Sequence, residues 1–118
     1  MIQSYKDLVV YQKSYEMTIK VYEMTRGYPR EEIYALTSQL KRAAYSIPLN
    51  IAEGYGKKGS TMEFKRFLQM AKGSASEMEV LLDLSRDLGF IETEKHEEMH
   101  RGYEEINRIL GGMLRRWK

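Results

Sequence analysis

The sequence predicts an all-α protein, an up-down four-helix bundle whose second helix is kinked at a proline. Three observations lead there. Apolar residues recur at helical spacing in four successive segments, the connections between those segments are short, and no segment alternates apolar and polar residues as a half-buried strand would. Residues 1–118 read as one domain, since 118 residues suffice for a single core and no internal repeat or low-complexity tract divides them.

In the first segment Asp7 is placed to cap a helix on which Leu8, Tyr11, Tyr15, Ile19 and Tyr22 share one face. Val10, Met17, Val21 and Met24 fall on nearly the opposite face, with Lys13, Glu16, Lys20 and Glu23 in a narrow wedge between them. A helix in a monomeric bundle needs one apolar face, so the second face predicts a subunit contact through Val10, Met17, Val21 and Met24, or a central position.

Gly27-Tyr28-Pro29 stops that helix, and Pro29 or the residues just after it open the next, with Glu31 and Glu32 in the first turn where the helix dipole favours anions. Ile33, Leu36, Leu40, Ala43, Ala44, Ile47, Ile51 and Gly54 keep one phase straight through Pro48. Proline removes the hydrogen bond to the Ala44 carbonyl and bends the helix, but a new helix would not inherit the old phase, so one kinked helix is expected. The run 54–59, rich in glycine and lysine, breaks the periodicity. Ser60 and Glu63 have capping-box spacing and open a third helix with Phe64, Phe67, Leu68, Ala71, Ala75, Met78 and Leu82 inward. Gly89 is placed to end it, with Phe90 and Ile91 over that end. Thr93 is placed to cap a fourth helix with the stripe Met99, Tyr103, Ile106, Leu110, Met113 and Trp117.

Composition narrows the chemistry. The chain has no cysteine, which excludes disulfide frameworks, cysteine nucleophiles and thiolate zinc sites and suits a reducing cytoplasm. The longest uncharged run, Ala43 to Ala52, is ten residues, half of what a membrane span needs, and the N-terminus has no signal-peptide pattern. Net charge is +2 but unevenly laid out: residues 41–72 carry seven basic and two acidic groups, 73–107 three and ten, and 108–118 four and none. The basic middle and the basic tail could each meet an anionic partner.

His96-Glu97-Glu98-Met99-His100 matches the H-E-x-x-H zinc-protease pattern. Catalytic zinc needs three protein ligands, the chain has only these two histidines, and on a helical wheel Glu104 and Glu105 point away from them. The spacing reads as chance on a solvated helix start, so no catalytic residue, metal or cofactor is expected. There is no P-loop, no dinucleotide fingerprint and no nucleophile elbow, and the inward stripes lack the Glu and His of a di-iron bundle. On the second helix Gln39, Arg42, Ser46, Asn50 and Glu53 form a polar row away from the core. Arg42, Asn50 and Glu53 are candidates for a subunit contact, with Glu77 across the interface as one partner for Arg42.

Asp7-Leu8-Val9-Val10-Tyr11-Gln12-Lys13, Tyr28-Pro29 with Glu32 and Tyr34, Gln39-Leu40-Lys41-Arg42-Ala43-Ala44, Ser46-Ile47-Pro48 and Asn50-Ile51-Ala52-Glu53-Gly54, continued by Glu63-Phe64, Phe67-Leu68, Ala71, Gly73-Ser74, Glu77, Leu88-Gly89 and Ile91, resemble the four-helix-bundle proteins encoded by intervening sequences within bacterial 23S ribosomal RNA genes. The resemblance covers roughly residues 5 to 91. It implies a bundle that assembles into a ring, typically a pentamer, without an established enzymatic activity. Accessory proteins of diversity-generating retroelements look similar, and they bind nucleic acid and a reverse transcriptase. The function expected is therefore a non-enzymatic homo-oligomer that binds RNA or DNA weakly through Lys57, Lys58, Lys65, Arg66 and Lys72 around the flexible loop. The alternative is a protein-binding adaptor, such as a partner of a reverse transcriptase.

Overall fold

The computed structural model describes residues 1–117. Four helices, α1 (Val9–Thr25), α2 (Leu36–Gly56), α3 (Thr61–Asp87) and α4 (Thr93–Arg116), run alternately up and down, with short 3₁₀ turns at Tyr5–Asp7 and Arg30–Glu32. Each helix packs on two neighbours, α1 on α2 and α4, α3 on α2 and α4, and the diagonal pairs do not approach among the described residues. This square arrangement is the expected bundle, 44 Å long and 22–23 Å across.

The phase of α1 is the reverse of the expected one. Val10, Ser14, Met17, Val21 and Thr25 face inward, and Val10, Met17 and Val21 belong to the same buried core as Leu40, Ile47, Tyr103 and Ile106. Met24 packs half-buried against that core. These four residues are therefore covered within the subunit, and the uncovered face is the one that carries Tyr15, Ile19 and Tyr22. The physical reason lies in Ser14 and Thr25, which make the inward stripe look polar. Their hydroxyls donate to carbonyls of their own helix, Ser14 to Tyr11 and Thr25 to Val21, so both bury without an unmet polar group.

Several boundaries differ from expectation for local reasons. Asp7 does not cap α1; its carboxylate accepts the backbone N–H groups of Gln3 and Ser4 and closes the 3₁₀ turn before it. Pro29 opens only the second 3₁₀ turn, so α2 begins at Leu36, where a Glu32 carboxylate oxygen accepts the Leu36 N–H, and Ile33 stays half exposed outside the core. Helix α2 then runs unbroken through Pro48. The Ala44 carbonyl that Pro48 cannot serve instead accepts from the Thr18 hydroxyl of α1 at 3.2 Å, which ties the two helices at the proline.

The α3 ends follow the sequence. Ser60 Oγ accepts the Glu63 N–H, and Gly89 takes φ of 81°. Phe90 N–H then reaches the Ser85 carbonyl and Gly89 N–H the Arg86 carbonyl, the paired bonds of a Schellman ending, and the Phe90 ring packs 5.3 Å from Tyr28. The close α2–α3 seam is set by Ala43, Ala44, Ala71 and Ala75, all buried, and by Gly54, which lies against Phe64 and Phe67.

Candidate functional site

Alternating helix directions bring the chain's two basic segments to one end of the bundle. The end of α2, the start of α3 and the end of α4 meet there, and Phe64 packs edge-on against Trp117 with ring centroids 4.7 Å apart. The expected nucleic-acid residues divide into two groups, Lys57, Lys58, Lys65 and Arg66 around the α2–α3 connection at this end and Lys72 farther along α3. Lys57 and Arg66 flank the Phe67 ring at 5.9 and 4.6 Å, while Lys58 sits 3.9 Å over Tyr55. Arg66 is also bound through two nitrogens to the two Glu63 oxygens, both at 3.1 Å, an interaction that raises the arginine's pKa and lowers the glutamate's. Its charge is largely spoken for within the chain.

Lys72 faces the other way, toward α4. It lines an open cleft of about 370 Å³ with Arg108 and Arg115, floored by Gly111 and bordered by Glu79, Glu104 and Asn107. Among the described residues Lys72, Arg108 and Arg115 form no ion pair. Arg108 and Arg115 were missed as site residues, and the signal that could have found them is the acid-free tail 108–118 read together with antiparallel packing. Much of the acidic segment 73–107 runs toward the opposite end, where α3 finishes and α4 starts.

The second candidate surface is apolar. Tyr15, Ile19, Tyr45 and Leu49, 40–57% exposed, stand on the outer side of the α1–α2 pair. Together with Tyr5, Tyr11, Thr18, Pro48 and Ala52 they line a groove of about 330 Å³. The polar row of α2 is turned partly into the α2–α3 seam. Ser46 Oγ lies 2.6 Å from Ser74 Oγ, Asn50 donates to the Ser46 carbonyl at 2.8 Å, and Arg42 donates to Gln39 at 2.6 Å. The expected Arg42–Glu77 pair exists within the subunit, at 3.9 Å on the surface, and Glu53 is exposed.

The H-E-x-x-H segment is not a solvated helix start. His96 is buried at the α3–α4 seam, its Nε2 2.7 Å from Asp83 Oδ1 and its ring beside the Arg86 guanidinium at 3.4–3.5 Å. The imidazole is the main reason that the Asp83 carboxyl is held below its ordinary pKa. His100 lies one turn on, with ring centroids 5.3 Å apart, but its neighbours are different: Glu79 of α3 and, contrary to the wheel, Glu104 of α4. The two histidines thus serve separate partners, and no zinc-protease arrangement forms from them.

The family model of the 23S rRNA-intervening sequence protein matches residues 6–112. A crystal structure of a protein of unknown function from the S23 ribosomal protein family of Bacteroides thetaiotaomicron VPI-5482 is similar in fold, with a TM-score of 0.83 and 27% sequence identity over 91% of this chain and 96% of that one. No curated protein matches the chain.

Proposed function

Because the chain belongs to the 23S rRNA-intervening sequence protein family, we propose that it is a non-enzymatic bundle that assembles with copies of itself, as a ring and by family likeness a pentamer, and holds RNA or DNA by the phosphate backbone at its basic end. The observation that carries this reading is the placement of Lys57, Lys58 and Lys65 at one end of the bundle and of Lys72, Arg108 and Arg115 along the α3–α4 cleft that leads from that end toward the middle. Contacts of this kind are sequence-independent and salt-sensitive. One subunit offers only a few such charges, but a ring repeats them on one side, and avidity can strengthen binding by ~10² when the spacing fits. A chain without cysteine and, among the described residues, without a helix long and apolar enough to cross a membrane suits this role in the cytoplasm.

Anisotropy titration of a labelled single-stranded RNA at several salt concentrations tests the reading. Binding is expected at ~50 mM salt and falls steeply above it. Glutamate at Lys57, Lys58, Lys65 and Arg66 weakens it. Alanine at Lys72, Arg108 and Arg115, which form no ion pair among the described residues, weakens it further and flattens the salt slope by roughly 2, at ~0.7 per lost contact on a single strand. No binding at low salt, or binding indifferent to both sets, overturns the nucleic-acid reading.

A second reading is favoured by the exposed Tyr15, Ile19, Tyr45 and Leu49 groove, which suits a protein partner as well as another subunit. In the adaptor reading that partner is a different protein, such as a reverse transcriptase. Light scattering separates the two. An oligomer that Ile19→Glu with Leu49→Glu dissociates without loss of helicity supports self-assembly, whereas a monomer across micromolar concentrations leaves the adaptor.

A further inference from the structure

Thr37 carries a polar atom that the bundle leaves unused. The residue is 6% exposed, and its hydroxyl has no hydrogen-bond partner among the described residues. Other buried hydroxyls donate to carbonyls of their own helix, Ser14 to Tyr11, Thr25 to Val21 and Ser85 to Leu81, but Thr37 stands in the first turn of α2 and makes no such bond. The Leu36 N–H goes to Glu32 and the Gln39 N–H to the Ala35 carbonyl, while the N–H groups of Thr37 and Ser38 have no acceptor among the described residues. An orphan hydroxyl thus lies at the positive end of a 21-residue helix.

The same residue lines a pocket of about 270 Å³ where α1 ends and α2 begins, together with Arg26, Arg30 and Lys41 and with no acidic residue in the lining. Glu23, Glu31 and Glu32 are close in sequence, yet among the described residues none of the three cations forms an ion pair. The Lys41 ammonium stands 4.8 Å over the Tyr22 ring, which holds it beside the pocket. We propose that Arg26, Arg30, Lys41 and the Thr37 hydroxyl bind a phosphate group carried by a small molecule. The hydroxyl donates to a phosphate oxygen, the first-turn amides add the helix dipole, and the three cations neutralise the charge. The small-molecule source follows from the surroundings. Tyr28, in the pocket wall, packs on Phe90 of the α3–α4 connection, and Asp87, Glu92 and Glu94 around that connection repel the flanking phosphates of a strand. This pocket is also separate from the basic end, which lies at the opposite end of the 44 Å bundle.

The test titrates the full chain with inorganic phosphate at constant ionic strength, chloride being the balancing anion, and follows Tm and the backbone amide resonances of α2. Saturable binding is expected, with a rise in Tm and the largest resonance shifts at Thr37 and Ser38. Arg30→Gln and Lys41→Met each weaken binding by about three- to tenfold, and Arg101→Gln, at an exposed position of α4 outside the pocket, leaves it unchanged. Thr37→Val weakens binding by about threefold while holding or raising the Tm measured without phosphate, whereas a merely structural hydroxyl would lower that Tm and leave the affinity alone. A labelled RNA ending in a 5′-phosphate is compared with the same strand ending in a hydroxyl to separate the two sources of phosphate, and equal affinity is expected. No saturable effect of phosphate beyond that of chloride, an equal loss with Arg101→Gln, or a preference for the phosphorylated strand that Arg30→Gln abolishes, overturns the proposal.

Discussion

Gly54→Ala measures how closely α2 and α3 approach, and its sign follows from two opposing effects. Alanine in a helix interior is worth about 0.8–1.0 kcal/mol over glycine, which alone would stabilise the last turn of α2. A Cβ at position 54, however, would stand 2.9 Å from Phe67 Cβ and 3.4 Å from both the Phe64 carbonyl oxygen and its ring. Carbon atoms rest at about 3.5–4.0 Å, so the first contact is short by at least half an ångström. Phe67 Cβ is fixed to the α3 backbone and cannot step aside as a side-chain tip could. Overpacking of this kind costs about 1–3 kcal/mol, leaving a net loss of up to about 2 kcal/mol. Gly73 is the internal control, because a Cβ there meets nothing within 4 Å and Gly73→Ala should stabilise by up to about 1 kcal/mol. Urea unfolding at fixed protein concentration reads both midpoints. Opposite signs are expected, and equal shifts for the two variants would refute the close approach.

Met17→Glu and Val21→Glu should each abolish cooperative unfolding or cost more than about 3 kcal/mol, because both positions lie in the subunit core; circular dichroism that stays native while only the assembly mass falls would contradict that burial. Tyr103→Phe should leave stability equal or raise it by about 1 kcal/mol, since the buried hydroxyl has no partner among the described residues and burial pushes its pKa far up; a loss above about 1 kcal/mol in thermal unfolding would reveal a missing hydrogen bond. Acid sensitivity follows from Asp83, whose pKa is lowered first by the bond to His96 and then by the nearby charges of His96, Arg86 and His100. The unfolded chain protonates this carboxyl before the folded one does, so its stabilisation is complete above about pH 4 and is lost as pH falls through the depressed folded value. Urea midpoints from pH 6 to 2.5 should therefore fall less steeply in Asp83→Asn, and an unchanged slope would dismiss the clasp.

The bundle was legible because its signals are local and repeated. The phase carried through Pro48, the Ser60 cap and the Gly89 ending each depend on residues within one or two turns, and the structure has all three. The phase of α1 was not, because hydrophobicity alone ranks tyrosine faces above a stripe containing Ser14 and Thr25. What decides the matter is that serine and threonine hydroxyls can satisfy themselves on their own helix, and that Met17 fits over Gly102, where a Cβ would fall 2.5 Å from its methyl carbon. The second fact belongs to α4 and is invisible from α1.

The same distinction governs the candidate sites. The expectation that Glu104 points away from both histidines fails for His100, which it follows by one turn of α4, and a wheel says nothing about Glu79, which reaches His100 from α3 across 21 residues of sequence. Likewise the two basic segments are separated in the chain by the most acidic stretch it has, and a linear reading makes that stretch an argument against anion binding. Antiparallel packing changes this. A residue late in α4 neighbours one early in α3, so basic 57–72 meets basic 108–116, while the α3–α4 turn carries Asp87, Glu92 and Glu94 to the far end of a 44 Å molecule. At physiological salt the screening length is about 8 Å, so acids at the far end of that axis hardly weaken a phosphate held at the basic one. Glu79 and Glu104 border the Lys72–Arg108–Arg115 cleft itself and oppose an anion there. Glu79→Gln with Glu104→Gln should therefore tighten RNA binding at the Lys72–Arg108–Arg115 cleft severalfold at low salt, and an unchanged affinity in the anisotropy titration would refute that opposition.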